Sequence, residues 1–507
     1  MKNSEYQAGD MDLQRAKQTF KWTFIITLVV KIWLAAFFPI TGDEAFFYQW
    51  GALPAWGYSD HPPMAGWMLY VLNSISNHPL MLRIVTVLLW AIVALGIVDG
   101  LRRMAPAQQE AAYWTGALFL TLPFTWALNV VTTDTPLILF LFVSGYCFLR
   151  GVLSGRTLWH VASGAFLGMA LLSKYFAGLL AIAYFVYFAF VVRSPRGWLQ
   201  LLLIALSTLP FVAINIAFNA TNCWTNVMFN LVNRNEGAHW SLMTVAGYLA
   251  MMIYLITPWV LLRLVRARRL LWKHRFVTVL FLVPLSIFLL LSGLKTIGLH
   301  WVLGFMPFVF LFAGSVASPA ELRRYLKWTA WFSVPHFVAL AAVILLPMSV
   351  WKGTSFYDDV VFHKESRAIV TALRTGLPAG GVIMAQAYTP ASLLSYHAGE
   401  YWAVFGEGKY HARQDDLNVD FRKYAGLPIR IFGRKPIRQA DVAPYFDSLT
   451  MGSFDIAGVT YFYADGKNFN YALYRERILK KIAARYYQIP AYLPQYGCPF
   501  LERYELK

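Results

Sequence analysis

Two acidic elements share one loop of this chain, and the loop carries no Lys or Arg. They are Thr41-Gly42-Asp43-Glu44 and Tyr58-Ser59-Asp60-His61-Pro62-Pro63, lying between apolar runs at 20–40 and 80–101. Ionisable side chains beside apolar spans are expensive to place, so they carry a functional hypothesis by default. Asp43, with Glu44 beside it, has the chemistry of a general base, or of a carboxylate that stabilises positive charge developing at a sugar carbon. The same residues also fit a plain structural role. Thr41-x-x-Glu44 is a capping-box pattern, and acids are favoured in a first helical turn. The residues alone leave both readings open.

Asp60 and His61 precede two prolines, whose fixed φ and steric demand on the preceding residue make a stiff mount. A stiff carboxylate and imidazole suit a metal ion or a phosphate, although a rigid turn is the simpler reading and a metal needs a further ligand. His239, in Arg234-Asn235-Glu236-Gly237-Ala238-His239, and His78 are the candidates for it, and Arg234 has the fork geometry for phosphate. Asp134 stands in Thr132-Thr133-Asp134-Thr135-Pro136, which also reads as a helix start. Lys174 and Lys295 interrupt apolar runs. Each would meet a lipid phosphate at a helix end or merely snorkel to the surface.

Long apolar runs must position these side chains. The chain is 58% hydrophobic and 14% charged, against about 25% charged in ordinary soluble domains. Runs at 80–101, 111–128 and 276–292 are near or above the ~18 residues that cross a bilayer as a helix. The pattern predicts eleven helices, at 20–40, 80–101, 111–128, 134–152, 159–173, 176–193, 197–217, 242–263, 276–293, 299–317 and 328–347. The first follows Lys17 and Lys21 and precedes Thr41-Gly42-Asp43, so it reads as a retained helix and not a cleaved signal. Lys31 lies inside it, either snorkelling or with a buried partner.

Arginines and lysines cluster in alternate loops, such as Arg102-Arg103, 263–275 and 323–327. The positive-inside rule then places the N-terminus in the cytoplasm. On that topology Asp43, Asp60, His61, Asp134, Lys174, His239, Lys295 and His300 all emerge on the outer face, and an odd helix count sends the C-terminal segment outside. Cys223 and Cys498 would both face the outside, which leaves a disulfide open. The net charge of +18 is accounted for by these loops and gives no reason to invoke nucleic acid.

The division is 1–347 for the membrane part and 348–507 for a soluble α/β domain of ordinary single-domain size. In the latter, 364–375 and 441–449 read as helices, and 382–385, 401–404 and 429–432 as strands. Residues 459–463 and 471–474 read as a hairpin around Asp465-Gly466.

Asp-Glu after the first helix, an acidic residue before a Pro pair, an Asp opening the fourth helix and a Lys between the fifth and sixth together resemble the GT-C glycosyltransferases. The likeness is greatest to the bacterial aminoarabinose transferase (ArnT-like) group, related to protein O-mannosyltransferases, and covers about residues 20–350. The resemblance implies a mainly α, polytopic GT-C fold with interfacial helices in the first outer loop. It implies an inverting transferase that takes a sugar from a polyprenyl-phosphate donor to a lipid A-like lipid or other envelope glycan. The setting would be the outer face of the bacterial inner membrane, with a periplasmic C-terminal domain and a monomeric chain among membrane lipids. It gives Asp43, with Glu44 and Asp134, the catalytic part. It gives Lys174, beside Asp134, and Lys295 the donor phosphate, to which Arg234 is added on its own chemistry, and Asp60 and His239 a divalent ion, Zn, Mg or Mn, with His61 a conceivable further ligand. The group commonly has Lys where His61 stands. No Walker-type or GxGxxG loop calls for a nucleotide cofactor.

A lipid or lipid-sugar transporter would also gather polar residues in a membrane protein. Transporters place them near the midplane of repeated halves, whereas here they collect on one face and no repeat is visible.

Overall fold

The structure is a computed structural model that describes residues 2–233, 239–408 and 413–506. The chain forms two compact units. One comprises Met1–Phe38, Asn77–Ala213 and Gly237–Ala342, and the other Pro39–Ser76, Ile214–Glu236 and Val343–Lys507. The loop between the first two apolar helices therefore belongs to the same unit as the C-terminal residues.

In the first unit every expected apolar run contains helix, but their lengths differ from expectation. Among the described residues eight helices are long and apolar enough to span a membrane, with a ninth span if Leu242–Ile256 and Pro258–Arg266, bent by 96°, count as one. Two of the eleven expected spans are shorter, at 12 residues for Gln109–Leu120 and 14 for Leu158–Leu171. The breaks have local causes. Leu122, before Pro123, takes extended backbone at ψ 137, as a residue preceding proline prefers. Lys174 is extended at φ −164, ψ 144, and Thr257 before Pro258 sits at φ 69, ψ 143. The chain is a multi-pass membrane protein.

Helix burial sorts these spans. Leu299–Val316 is 83% buried across its apolar window, whereas Pro319–Leu345 is 11% buried. The former is apolar on all sides and lies inside the bundle. Gly145 lets it approach, since a Cβ there would come within 2.2 Å of the Phe308 ring, the use of small residues expected between membrane helices. Arg83 is fully buried and donates to the carbonyls of Ala35 and Phe38 at 3.0 and 2.7 Å. It thereby satisfies groups left open where the Lys2–Phe37 helix ends. Lys31 is 1% exposed, which excludes snorkelling.

In the second unit, helix Gly42–Ala52 packs on helix Met64–Asn73 and on helix Tyr388–Ala398. Trp50 stacks on Tyr58 at 4.1 Å between ring centroids, and the Tyr58 hydroxyl donates to the Trp50 carbonyl at 2.8 Å. A disulfide joins Cys223 to Cys498, 275 residues apart. Four strands form one sheet, β1 (Val382–Ala385), β2 (Ile429–Gly433), β3 (Ser448–Ile456) and β4 (Val459–Lys467), in the order β1-β2-β4-β3. Only β1 and β2 run parallel. The helix at Ser366–Arg374 and the first two strands agree with the sequence reading.

Three local expectations do not hold. Residues 401–404 contribute only a bridge from Val404 to Ala385. The helix expected over 441–449 is present only as short turns at Gln439–Val442 and Ala443–Tyr445, with β3 beginning at Ser448, and Tyr471–Tyr474 is helix. The hairpin turns at Ala457-Gly458, whose φ values of 51 and 79 suit the tight turn that matches strand twist. Asp465-Gly466 lies inside β4 instead. Asp465 is paired with Arg430 across the sheet at 2.6 Å, and Gly466 leaves room for the Phe446 ring.

Candidate active site

The structure places the sequence-derived candidates in two groups, one in each unit. In the second unit, Thr41 caps helix Gly42–Ala52 through a complete capping box. The Glu44 amide donates to the Thr41 hydroxyl at 3.3 Å, and the Thr41 amide donates to the Glu44 carboxylate at 3.1 Å. Glu44 is buried and committed to the cap. Asp43 is directed elsewhere: it is accessible and accepts a hydrogen bond from the Tyr388 hydroxyl at 3.4 Å. The two readings of this motif thus fall on different residues, the cap on Glu44 and an available carboxylate on Asp43.

The surroundings of Asp43 raise its pKa above the ordinary aspartate value. Desolvation by the neighbouring protein is the largest cause. The Tyr388 hydrogen bond opposes it, and the carboxylates of Glu44 and Asp60 add to it. A carboxylate of raised proton affinity is a better general base than an ordinary one.

Asp60 and His61 are both nearly buried, with His61 Nδ1 3.0 Å from Asp60 Oδ2. The Asp60 carbonyl accepts from Asn230 at 2.8 Å, and the His61 carbonyl from the Tyr58 amide at 2.9 Å. The Ser59 amide donates to Gln414 at 2.9 Å. The stiffness that the Pro pair implies is therefore reinforced from three segments of the chain.

In the first unit, Asp134 is the first residue of helix Asp134–Ser154, where the positive end of the helix favours a carboxylate. Its side chain makes no cap. It receives both hydrogen bonds of a fork from Lys174 Nζ, at 3.0 Å to each oxygen, with His300 Nε2 3.9 Å away. Lys174 is 5% exposed, so it does not snorkel. Aromatic rings line the cations: Lys174 lies 5.7 Å from the Phe176 ring and Lys295 5.6 Å from Trp301, and those two rings are 4.7 Å apart. Such faces favour cations.

Of the remaining candidates, Arg234 lies outside the described residues. His239 is exposed and belongs to the first unit. Among the described residues no group of three or more His, Cys, Asp or Glu side chains gathers as a metal site. The Asp60–His61 pair offers two donors, fewer than the three protein ligands of a catalytic zinc site. Sequence reasoning missed Tyr388, Asn230 and Gln414. Tyr388 is 345 residues from its partner Asp43, and no local pattern marks it.

Residues 60–216 match the family model described as dolichyl-phosphate-mannose-protein mannosyltransferase. That stretch includes Asp60, His61, Asp134 and Lys174. A curated relative, the lipid A galacturonosyltransferase RgtD of Rhizobium johnstonii, is 27% identical over 251 residues, 45% of this chain and 50% of the relative. The chain thus spans about half the length of that protein. Among solved structures, ArnT from Cupriavidus metallidurans in the apo state superimposes with a TM-score of 0.62 at 16% identity, covering 89% of this chain and 98% of that one. The same protein bound to undecaprenyl phosphate gives 0.63 at 15% identity, covering 87% and 97%. The chain therefore has the fold of ArnT, and its residues 60–216, which carry the acidic and lysine motifs, resemble the mannosyltransferase family.

Proposed function

We propose that the chain is an inverting glycosyltransferase that moves a sugar from a polyprenyl-phosphate donor to a lipid A-like lipid or another envelope glycan. The observation that carries this reading is Asp43, an accessible carboxyl of raised proton affinity on a capped helix start. In the reaction Asp43 takes the proton of an acceptor hydroxyl as that oxygen bonds to the anomeric carbon. The carbon–oxygen bond to phosphate breaks, and the polyprenyl phosphate leaves with the electron pair. Lys174, Lys295 and Arg234 meet the phosphate charge, with Asp134 holding Lys174 in place. Glu44 serves by fixing the helix start that presents Asp43. The names of the similar proteins, a lipid A galacturonosyltransferase and an ArnT bound to undecaprenyl phosphate, support this donor and acceptor class.

The fit of a divalent ion is partial. Asp60 and His61 would hold it, with His239 as a third ligand in the zinc reading. The Asp60 carboxylate completed by phosphate oxygens and water suits Mg²⁺ or Mn²⁺ better, with the His61 imidazole nearby. When bound, such an ion would neutralise charge on the departing phosphate.

The setting proposed is the bacterial inner membrane, with the chain as a monomer and residues 348–507 forming a periplasmic domain. The positive residues in alternate loops support it, as does the Cys223–Cys498 disulfide, a bond that persists in oxidising compartments. A reporter at the C-terminal end should behave as external.

The deciding experiment incubates purified chain with labelled polyprenyl-phosphate sugars and identifies the product by mass spectrometry. Asp43→Asn keeps size and hydrogen bonding and removes the charge. It should lower transfer by about 10²–10⁴-fold, the usual contribution of a general base. Near wild-type turnover in a folded Asp43→Asn variant would return Asp43 to a structural role.

A further inference from the structure

A cavity of about 310 Å³ lies within the second unit, walled by helix Gly42–Ala52 on one side and by residues from 387–408 and 413–415 on the other. It is at the lower end of the range for small-ligand sites, with room for a sugar ring or two and not for a lipid chain. Five aromatic residues, Phe46, Trp50, Tyr388, Tyr401 and Trp402, line it. Aromatic faces pack against the C–H face of a pyranose. Gln49 and Ser392 are among its polar lining residues.

The charge of the wall narrows the ligand class. Arg413 is the one cationic side chain among the described lining residues, and it is already committed. Its Nε and Nη2 donate to Asp416 at 3.0 and 2.8 Å, and its Nη1 donates to the carbonyls of Val404 and Gly406. Asp415 also lines the cavity and accepts from the Tyr401 hydroxyl at 2.9 Å. Among the described lining residues an anionic sugar would meet the Asp415 carboxyl and no uncommitted cation, and burying an unpaired charge is costly.

Tyr388 places the cavity relative to the chemistry. Its ring forms part of the wall, and its hydroxyl is the donor to Asp43. On the helix that carries Asp43 in its first turn, Phe46, Gln49 and Trp50 follow at helical spacing and line the same cavity.

We propose that this cavity is an acceptor subsite for a neutral, hydroxyl-rich sugar ring, stacked on the aromatic wall and hydrogen-bonded by Gln49 and Ser392. The assignment rests on the transferase reading above, since it makes Asp43 the base for a hydroxyl on the acceptor held nearby.

The test uses the full chain in lipid nanodiscs and two soluble probes, methyl β-glucopyranoside and methyl β-glucopyranosiduronate, read by saturation-transfer NMR. The neutral glycoside should receive saturation and the uronate at least threefold less. Ser392→Phe fills the cavity and should abolish the neutral signal. Gln49→Ala is milder, and should lower it at least twofold with an unchanged unfolding midpoint. No transfer to the neutral ring, an equal or stronger uronate signal, or an unchanged signal in a folded Ser392→Phe chain overturns the proposal. A polyprenyl-phosphate sugar assay on the same preparation separates the two readings. Asp43-dependent transfer without ring binding removes the subsite alone, whereas ring binding in a chain that transfers no sugar overturns the acceptor role.

Discussion

Lys174 Nζ lies 3.0 Å from both carboxylate oxygens of Asp134, 40 residues earlier in the chain, and both side chains are shielded from solvent. Desolvated charges of opposite sign held in this geometry depend on each other. Removing one leaves the other uncompensated, at about 3–5 kcal/mol.

Lys174→Ala should therefore lower stability and weaken donor use more than it changes acceptor choice. The double variant Asp134→Asn/Lys174→Met removes both charges, and should recover much of the stability without the activity. Thermal unfolding alongside donor KM checks this. Equal donor KM in Lys174→Ala and wild type would confine the pair to structure.

Tyr388→Phe bears on pH dependence. The Tyr388 hydrogen bond lowers the pKa of Asp43 against the larger raising effect of desolvation. Removing it should raise that pKa further. A general base works in its ionised form, so activity falls as pH drops through its pKa. The acidic limb of the kcat/KM profile should move to higher pH in Tyr388→Phe, while activity well above the pKa changes little. A limb that stays in place or moves to lower pH would remove Asp43 as the titrating group.

The metal reading is tested by elemental analysis of purified chain before and after exhaustive chelation. The expected result is a weakly held divalent ion, activity that falls on chelation and returns with Mg²⁺ or Mn²⁺, and reduced occupancy in Asp60→Asn; lower occupancy in His239→Ala would favour the zinc reading instead. Full activity after chelation with no bound metal would leave the leaving phosphate to Lys174, Lys295 and Arg234.

The Cys223–Cys498 bond closes a very long loop, and such bonds typically contribute about 2–4 kcal/mol by restricting the unfolded chain. The Cys223→Ser/Cys498→Ser variant, or wild type under reductant, should unfold several degrees earlier. Cys147 is a buried free thiol, so Cys147→Ser serves as the comparison. An unchanged midpoint in the double variant would show that the bond adds no stability.

Sequence alone determined the membrane class, the positions of the apolar helices and most of the charged candidates. Hydrophobicity and the cost of buried charge act through composition and position, so they can be read without a fold. The capping box at Thr41 and Glu44 was equally legible, because its partners are three residues apart. Only tertiary structure decided that Lys174 pairs with Asp134 and does not snorkel, since the two meet across helices. Only it brought Tyr388 to Asp43 and moved the hairpin turn to Ala457-Gly458. Pairing with Arg430 and contact with Phe446 make Asp465-Gly466 a strand interior, overriding a local turn signal. Contacts between residues far apart in the chain leave no period or spacing behind, and packing is where they first become visible.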